Sequence, residues 1–428
     1  MSNNKKDALL SKIESRKGHK KLMLHAFVPM NVGNNNSNQD RTPKSVVFGT
    51  DTRTMWSSQS QKRPIKDQMF FSEYLDTIDV DKTSPKERMD ELSKGKFNIA
   101  VPMKSAMLAS IFNDVFKANG YSDEDSIKGS EEIANLIGSL TRKTEEKAGT
   151  EDKKVDETED ETDNETGNET KEKSKKESMT TLTIQEYIDL QELILEHSKN
   201  KSLPTKEELI KVFMKKVPDR VSALFGRFIA GLNRSLIQES AIAVASAVSI
   251  NPAGPNRGHF EKQLITAMDR ISNSTGHMDS ASYSAPIMYK NCDIDMDLIE
   301  KTLGGDEDAK IITKLQVQEF IKNFLMIQPT GMSKAYASYA YASYAMIEKG
   351  TGHPRTLIDS FTIPTNTLEK GVHLIERMKT DLDRAYTATG IPKWDTAVWH
   401  AKGDALKSNL KDAKECPTLQ DLLDWVVE

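Results

Sequence analysis

Residues 145–178 limit what this chain can fold into more than any other stretch. They carry 14 acidic side chains against 7 lysines, and their only apolar residues are Ala148 and Val155. Such a segment buries too little to offset the entropy of ordering it, so it is expected to be a disordered insert within a folded domain. It also dominates the charge. The chain of 428 residues is formally −5, but the insert alone is −7, which leaves the rest at +2. The acidity belongs to the insert, and a body that binds nucleic acid stays open.

Other function classes close quickly. Cys292 and Cys416 are the only cysteines and lie far apart, so neither a disulfide framework nor a zinc knuckle is expected. No apolar run reaches the ~18 residues of a membrane span. The longest, Ala241 to Ile250, is rich in small residues and reads as a packed element. The N-terminal lysines lack an apolar h-region, so no secretory signal and a cytoplasmic location are expected. No GxSxG, GxxxxGK[ST] or HExxH occurs, and no two histidines stand four apart. Asp293, Asp295 and Asp297 begin like a calcium loop. Leu298 then replaces the turn glycine and Gly304 the closing glutamate, so a strand end running into a helix cap is the better reading. Gly350-Thr-Gly352 is a lone GxG, and Gly304-Gly305 reads as a helix stop. The expectation is a protein that is not an enzyme and has no cofactor or metal.

Residues 1–21 form a basic tail. Leu22 to Val28 is an apolar run stopping at Pro29, the mark of a buried strand, and a loop dense in Asn and Ser follows from Asn31 to Lys44. From Phe70 to Pro218 the pattern is helical. Pro102 is expected to open a helix with Met103, Met107, Leu108, Ile111, Phe112, Val115 and Phe116 on one face, closed by Gly120. Thr183 with Glu186, and Thr205 with Glu208, are capping boxes. Ser249–Arg257 and Asn273–Ser284, rich in turn-forming residues, bracket the apolar Leu264–Met268, which reads as a protruding loop or hairpin. Tyr336 to Ala345 reads as a strand, Leu368 to Tyr386 as an amphipathic helix and Thr418 to Val427 as a short terminal one. The fold class is α+β.

Arg41 to Lys66 holds Arg41, Lys44, Arg53, Lys62, Arg63 and Lys66 against one acid, Asp51. Between them Ser57-Ser-Gln-Ser60 supplies hydroxyl and amide donors, and phosphate binding needs that mixture. In a helix starting there, Lys62 and Lys66 lie one turn apart. A solvated polar face would account for the composition equally well.

The order of residues decides between them. Phe48-Gly49, Arg53 and Trp56-Ser-Ser-Gln-Ser-Gln-Lys-Arg63 resemble the N-terminal signature of CasC, the backbone subunit of the type I-E CRISPR Cascade complex. Ala223-Leu-Phe-Gly-Arg-Phe228, Ile265-Thr-Ala-Met-Asp269, Leu303-Gly-Gly305, Lys334-Ala-Tyr-Ala337 and the block from Pro417 to Trp425 are similar to further family segments in the same order.

That resemblance implies an RRM-like (ferredoxin-like) palm, an inserted helical fingers domain and a β-hairpin thumb. The palm would comprise residues 22–69, 218–245 and 285–428, the fingers 70–217 with the insert 145–178, and the thumb 246–284. Copies of the chain would polymerise along a CRISPR RNA and hold its spacer for pairing with target DNA, beside CasA-, CasB-, CasD- and CasE-type subunits. Lys44, Ser58, Gln59, Ser60, Lys62, Arg63, Lys66 and Arg227 would grip RNA, with Gly331 and Lys334 lining it. Phe228, Leu264, Ile265, Thr266 and Met278 would form a wedge that kinks the strand, and Lys211 and Lys215 would face DNA. Leu264-Ile265 stands where the family has an aromatic pair, and the insert has no family counterpart. A rival reading is an RNA-cleaving backbone subunit of type III-like effectors, with Asp40 as the candidate. Another is an interaction scaffold that needs no RNA.

Overall fold

The computed structural model describes residues 20–71, 83–94, 99–138, 179–214, 219–227, 237–254, 256–262, 277–387, 394–401, 406 and 408–428; of residues 256–262 and 277–281 it describes only the backbone. The basic tail up to residue 19 and the acidic insert 145–178 lie outside these residues. The chain divides into two compact units. Met1–Asp79, Pro218–Gly226 and Glu239–Glu428 form the first, and Val80–Val217 with Arg227–Gln238 the second.

The first unit opens with β1 (Lys21–Pro29), the hairpin β2 (Ser45–Phe48) and β3 (Asp51–Trp56), and helix α1 (Ser58–Phe70). The second unit follows with α2 (Pro85–Ser93), β4 (Ala100–Lys104), α3 (Ser105–Ala118), α4 (Asp123–Ile137), β5 (Met179–Thr183), α5 (Ile184–Ser198) and α6 (Lys206–Met214). The chain returns to the first unit through α7 (Arg220–Phe225), β6 (Ile242–Val244), β7 (Ala247–Ser249), β8 (Asn256–Lys262), β9 (His277–Tyr283) and β10 (Ile287–Asp295). It ends with α8 (Met296–Thr302), α9 (Glu307–Met326), α10 (Ser333–Tyr336), β11 (Tyr344–Gly350), α11 (Leu368–Thr387), β12 (Asp395–His400), β13 (Lys414–Cys416) and α12 (Leu419–Val427).

Strand β1 explains the layering. Its residues from Leu22 to Val28 are all buried, so both of its faces must be covered. It lies between β10 and β11 in a sheet of order β13-β12-β11-β1-β10-β7-β3-β2, with β6 also beside β10. Every pairing is antiparallel except that of β12 with β13. Leu22, Leu24, Ala26 and Val28 belong to a core with Ile65 and Met69 of α1, Phe320, Ile321 and Phe324 of α9, and Leu422 and Val426 of α12. Phe27 belongs to a second core with Tyr289, Tyr344, Phe361 and the α11 residues Leu368, Val372 and Ile375. Two helical layers therefore enclose the sheet. Strands β8 and β9 pair only with each other, as a separate hairpin.

In the second unit the apolar face of α3 is buried at Leu108, Ile111, Phe112, Val115 and Phe116. Gly129 of α4 sits so near Phe116 that a Cβ there would meet its ring at 2.5 Å. Both capping boxes form, Thr183 with Glu186 on α5 and Thr205 with Glu208 ahead of α6. Asp295 caps α8 at the end of β10, as the polar strand-end reading requires.

Three expectations are corrected. The Phe70–Pro218 region is not wholly helical, because β4 and β5 form a two-stranded ribbon. Pro102 lies within β4 and does not start α3; a two-stranded ribbon leaves one side of each strand unpaired, where a residue without N–H fits. Met107 accordingly points outward, 40% exposed. Tyr336–Ala345 is not one strand. Residues 333–336 form a helical turn, the left-handed Ala337 ends it, and β11 begins only at Tyr344.

A charged chain lies on the α11 side of the sheet. His25 Nδ1 contacts the Tyr289 hydroxyl at 2.7 Å, and its Nε2 lies 3.2 Å from Glu348 Oε1. Arg355 bonds both Glu348 and Asp383, which also holds Lys379 at 2.7 Å. Burial alone would raise the Glu348 pKa, but His25 and Arg355 hold it at about 2, below the ordinary 4.5. Its stabilising contribution is therefore complete above about pH 4.5 and is lost as pH falls toward about 2. Glu348→Gln should destabilise the protein by about 3 kcal/mol near neutral pH. The gap in urea midpoint between variant and parent should close through that acidic window; a gap independent of pH would contradict the assignment.

Candidate nucleic-acid interface

The loop after β1 is held by side chains because most of it has no ladder to join. Three consecutive asparagines each reach a different segment. Asn34 Nδ2 donates to the Arg41 carbonyl at 2.7 Å and to the Ser282 carbonyl, at the foot of the β8–β9 hairpin, at 3.3 Å. Asn35 Nδ2 donates to the carbonyls of Pro329 at 2.9 Å and Ser338 at 3.3 Å, while its Oδ1 accepts from Ser338 Oγ at 3.1 Å. Asn36 Oδ1 accepts from the Ser57 amide at 2.9 Å and Ser60 Oγ at 3.3 Å, and its carbonyl accepts the Lys44 amide at 2.8 Å. The loop thus joins the hairpin foot, the 329–338 loop and the start of α1.

Glycine makes this closeness possible. A Cβ on Gly33 would meet Ser338 Oγ at 2.5 Å, and one on Gly331 would meet the Asn35 carbonyl at 2.5 Å. Gly331 donates its amide to that same carbonyl at 3.1 Å. Lys334 follows, exposed, on α10.

Helix α1 begins here, with Ser57 as N-cap accepting from the Ser60 amide. Ser58 and Gln59 fall in its first turn, where backbone amides lack intrahelical acceptors and the helix dipole favours an anion. The six clustered cations then separate by environment. Arg63 is 87% exposed and only loosely paired with Asp67, at 3.9 Å. Lys62 is half-buried; burial lowers its pKa against the pull of Cys292 and Asp293. Lys66 is lowered by burial too, against Asp219 and Asp67, and lies 5.6 Å above the Phe225 ring. Lys62 and Lys66 are one turn apart as expected, yet neither head is fully solvated. Arg53, counted in the same basic run, is completely buried and donates to the carbonyls of Ser249, Ile250 and Phe361. It is a structural clamp, held by carbonyls of segments far along the chain.

Other expected residues fall elsewhere. Arg227 lies in the second unit, bonding both Glu186 oxygens at 2.8 and 2.7 Å and the Thr181 carbonyl at 2.9 Å. Lys211 is exposed on α6, opposite the buried Leu209, Val212 and Phe213. Met278 is in β9, with only its backbone described. Phe228, Leu264, Ile265, Thr266 and Lys215 lie outside the described residues. Asp40 Oδ1 accepts from the Thr42 amide at 3.0 Å and Thr42 Oγ1 at 2.6 Å, closing a turn within its loop. Asn34, Asn35 and Asn36 were not singled out by sequence reasoning. Their signal was the density of asparagine in the loop, which reads as turn chemistry until the partners are known.

Among the described residues no helix is long and apolar enough to cross a membrane. No curated protein sequence matches the chain. The fold is similar to a chain of a solved structure described as a CRISPR RNA-guided surveillance complex, pre-nicking. That likeness has a TM-score of 0.70 at 16% identity and covers 95% of this chain and 99% of that one. A second structure, described as a CRISPR RNA-guided surveillance complex, is similar with a TM-score of 0.61 at 14% identity, over 95% and 99% of the two chains. At such identities the likeness speaks for fold alone. The model of the family described as CT1975-like protein matches residues 22–425, a span that contains the whole set of CasC-like blocks. The chain belongs to the CT1975-like protein family, and the CasC-type resemblance carried by Trp56–Arg63 stands.

Proposed function

We propose that this chain is the non-catalytic, guide-RNA-binding backbone subunit of a type I-E Cascade-like surveillance complex. It polymerises along a CRISPR RNA in the cytoplasm and leaves the spacer free to pair with target DNA. The observation that carries this reading is the asparagine junction. It gathers Lys44, the Ser57–Arg63 helix start and the Gly331–Lys334 loop into one region of donors and cations, the chemistry that grips phosphate and ribose without reading bases.

The strand order β11-β1-β10-β6, with α1 and α9 packed on one face, supports an RRM-like palm. In RRM domains the opposite sheet face carries aromatics that stack RNA bases. Here that face is covered by α11, so the grip falls on loops at the end of the sheet. The β8–β9 hairpin serves as the thumb, and Leu264, Ile265 and Thr266 belong to the segment joining its strands. The second unit serves as the fingers, with Lys211 toward DNA. The partners are CRISPR RNA, further copies of the chain, CasA-, CasB-, CasD- and CasE-type subunits and target DNA, with no membrane.

The purified chain should form polymers that depend on RNA and dissolve under nuclease. Lys62→Ala with Arg63→Ala should weaken RNA binding and flatten the log–log salt dependence by roughly 0.7 for each phosphate left without its cation. An unchanged slope would remove these residues from the interface. Polymers indifferent to nuclease would favour a scaffold without RNA.

Asp40 already closes a turn with Thr42, which favours a structural role for it. With complementary RNA and Mg²⁺, neither the assembled complex nor its Asp40→Ala counterpart should cut. Cleavage that disappears in Asp40→Ala would establish the nuclease reading instead.

A further inference from the structure

Residues 338–342 alternate in a way that core packing does not require. Ser338 is buried and bonded to Asn35, Ala340 packs against the core, and Ala342 is buried. Between them Tyr339 and Tyr341 point outward, 58% and 65% exposed. Small residues face in and large rings face water, the reverse of what burial favours. Val32, 49% exposed, and Met332, 40% exposed, lie on the two loops that Asn35 joins.

The backbone that carries these rings is held in place. Ser338 is fixed by two bonds to Asn35, and the Ala342 amide donates to the Leu325 carbonyl at 2.8 Å. Met332 and Ala337 both adopt left-handed backbone, a conformation non-glycine residues keep only where their surroundings impose it. Tyr336, in the same segment, packs against Tyr283 at the hairpin foot, with centroids 6.3 Å apart. Lys334 is exposed on this loop, and the Lys44 backbone is tied to the same junction through Asn36.

We propose that Tyr339 and Tyr341 form a stacking surface for the faces of single-stranded RNA bases, beside the phosphate grip. This rests on the RNA-binding reading above and adds to it a contact with the base. An aromatic face suits a sequence-blind binder, because every base has a π-face and stacking leaves the pairing edge unengaged. It also replaces a stacking neighbour that a base loses where the strand bends. The exposed Lys334 on the same loop favours a polyanion over an apolar protein surface.

The test compares end-labelled single-stranded oligoadenosine with an abasic RNA of equal length, by fluorescence anisotropy across a salt series. The unaltered chain should bind the base-bearing RNA at least about fivefold more tightly, the weak end of base–aromatic stacking. Tyr339→Ala with Tyr341→Ala should abolish that preference while keeping the salt slope, and Tyr339→Phe with Tyr341→Phe should retain it. Thermal unfolding midpoints check that the variants fold, and the abasic comparison on the unaltered chain needs no variant. Equal binding of both RNAs with a full salt slope would overturn the stacking surface and leave the phosphate grip standing. Alanine variants that lose self-association but keep the base preference would also overturn it and assign the rings to a protein contact. No binding of either RNA would overturn this proposal together with the RNA-binding reading.

Discussion

The Asn34, Asn35 and Asn36 carboxamides fix where the loops at the end of the sheet lie, and the candidate interface depends on them. Backbone groups that leave a ladder need other partners, and few side chains supply both donors and an acceptor on so short an arm. Aspartate could not replace Asn34 or Asn35, since four carbonyls there, those of Arg41, Ser282, Pro329 and Ser338, accept from side-chain amides. An ionised carboxylate offers only acceptors and would bring negative charge to a region of cations. Losing one such amide strands buried carbonyls at a cost of about 1–3 kcal/mol. The larger effect is geometric, because hairpin foot, helix start and 329–338 loop would no longer be referred to one point.

Behind that junction stands strand β1. Its double burial forces a layer onto each face of the sheet, and the α11 layer brings the His25–Glu348–Arg355–Asp383 chain with it. Ionised groups there stay in place because each has a partner; an unpaired one would carry the full desolvation penalty. Covering that face also removes the sheet as a platform for bases. On the proposed reading the RNA grip falls on loops, so their fixation matters more here than in a sheet-binding fold.

The elements written in local patterns were legible. Leu22–Val28 forms the central strand, the Thr183 and Thr205 boxes cap their helices, and Asp295 caps α8. The basic run was legible as a run, but not the fates of its members. Arg53 is buried on β3 while Arg63, a short way on, turns outward on α1, and the carbonyls that hold Arg53 come from segments 196 to 308 residues away, which no local pattern announces. Arg227 is matched by Glu186, far earlier in the chain, and no local pattern announces such a pair. The asparagine junction was hidden for the same reason, with partners up to 303 residues away. Pro102 misled because a proline before an apolar helical face suits a helix start as well as an unpaired strand side.

The separation of the cations bears on how a sequence-blind grip would work. A largely exposed arginine such as Arg63 would attract a polyanion from a distance, but its charge is screened within roughly 10 Å at ordinary ionic strength. Lys62 is half-buried and burial lowers its pKa, so on the proposed reading less water would have to leave it when a phosphate binds. The effective dielectric around it is also lower, which strengthens each contact formed. On the proposed reading an exposed arginine would serve encounter and a half-buried lysine register, a division that charge counting cannot express, since both contribute +1 to the same total.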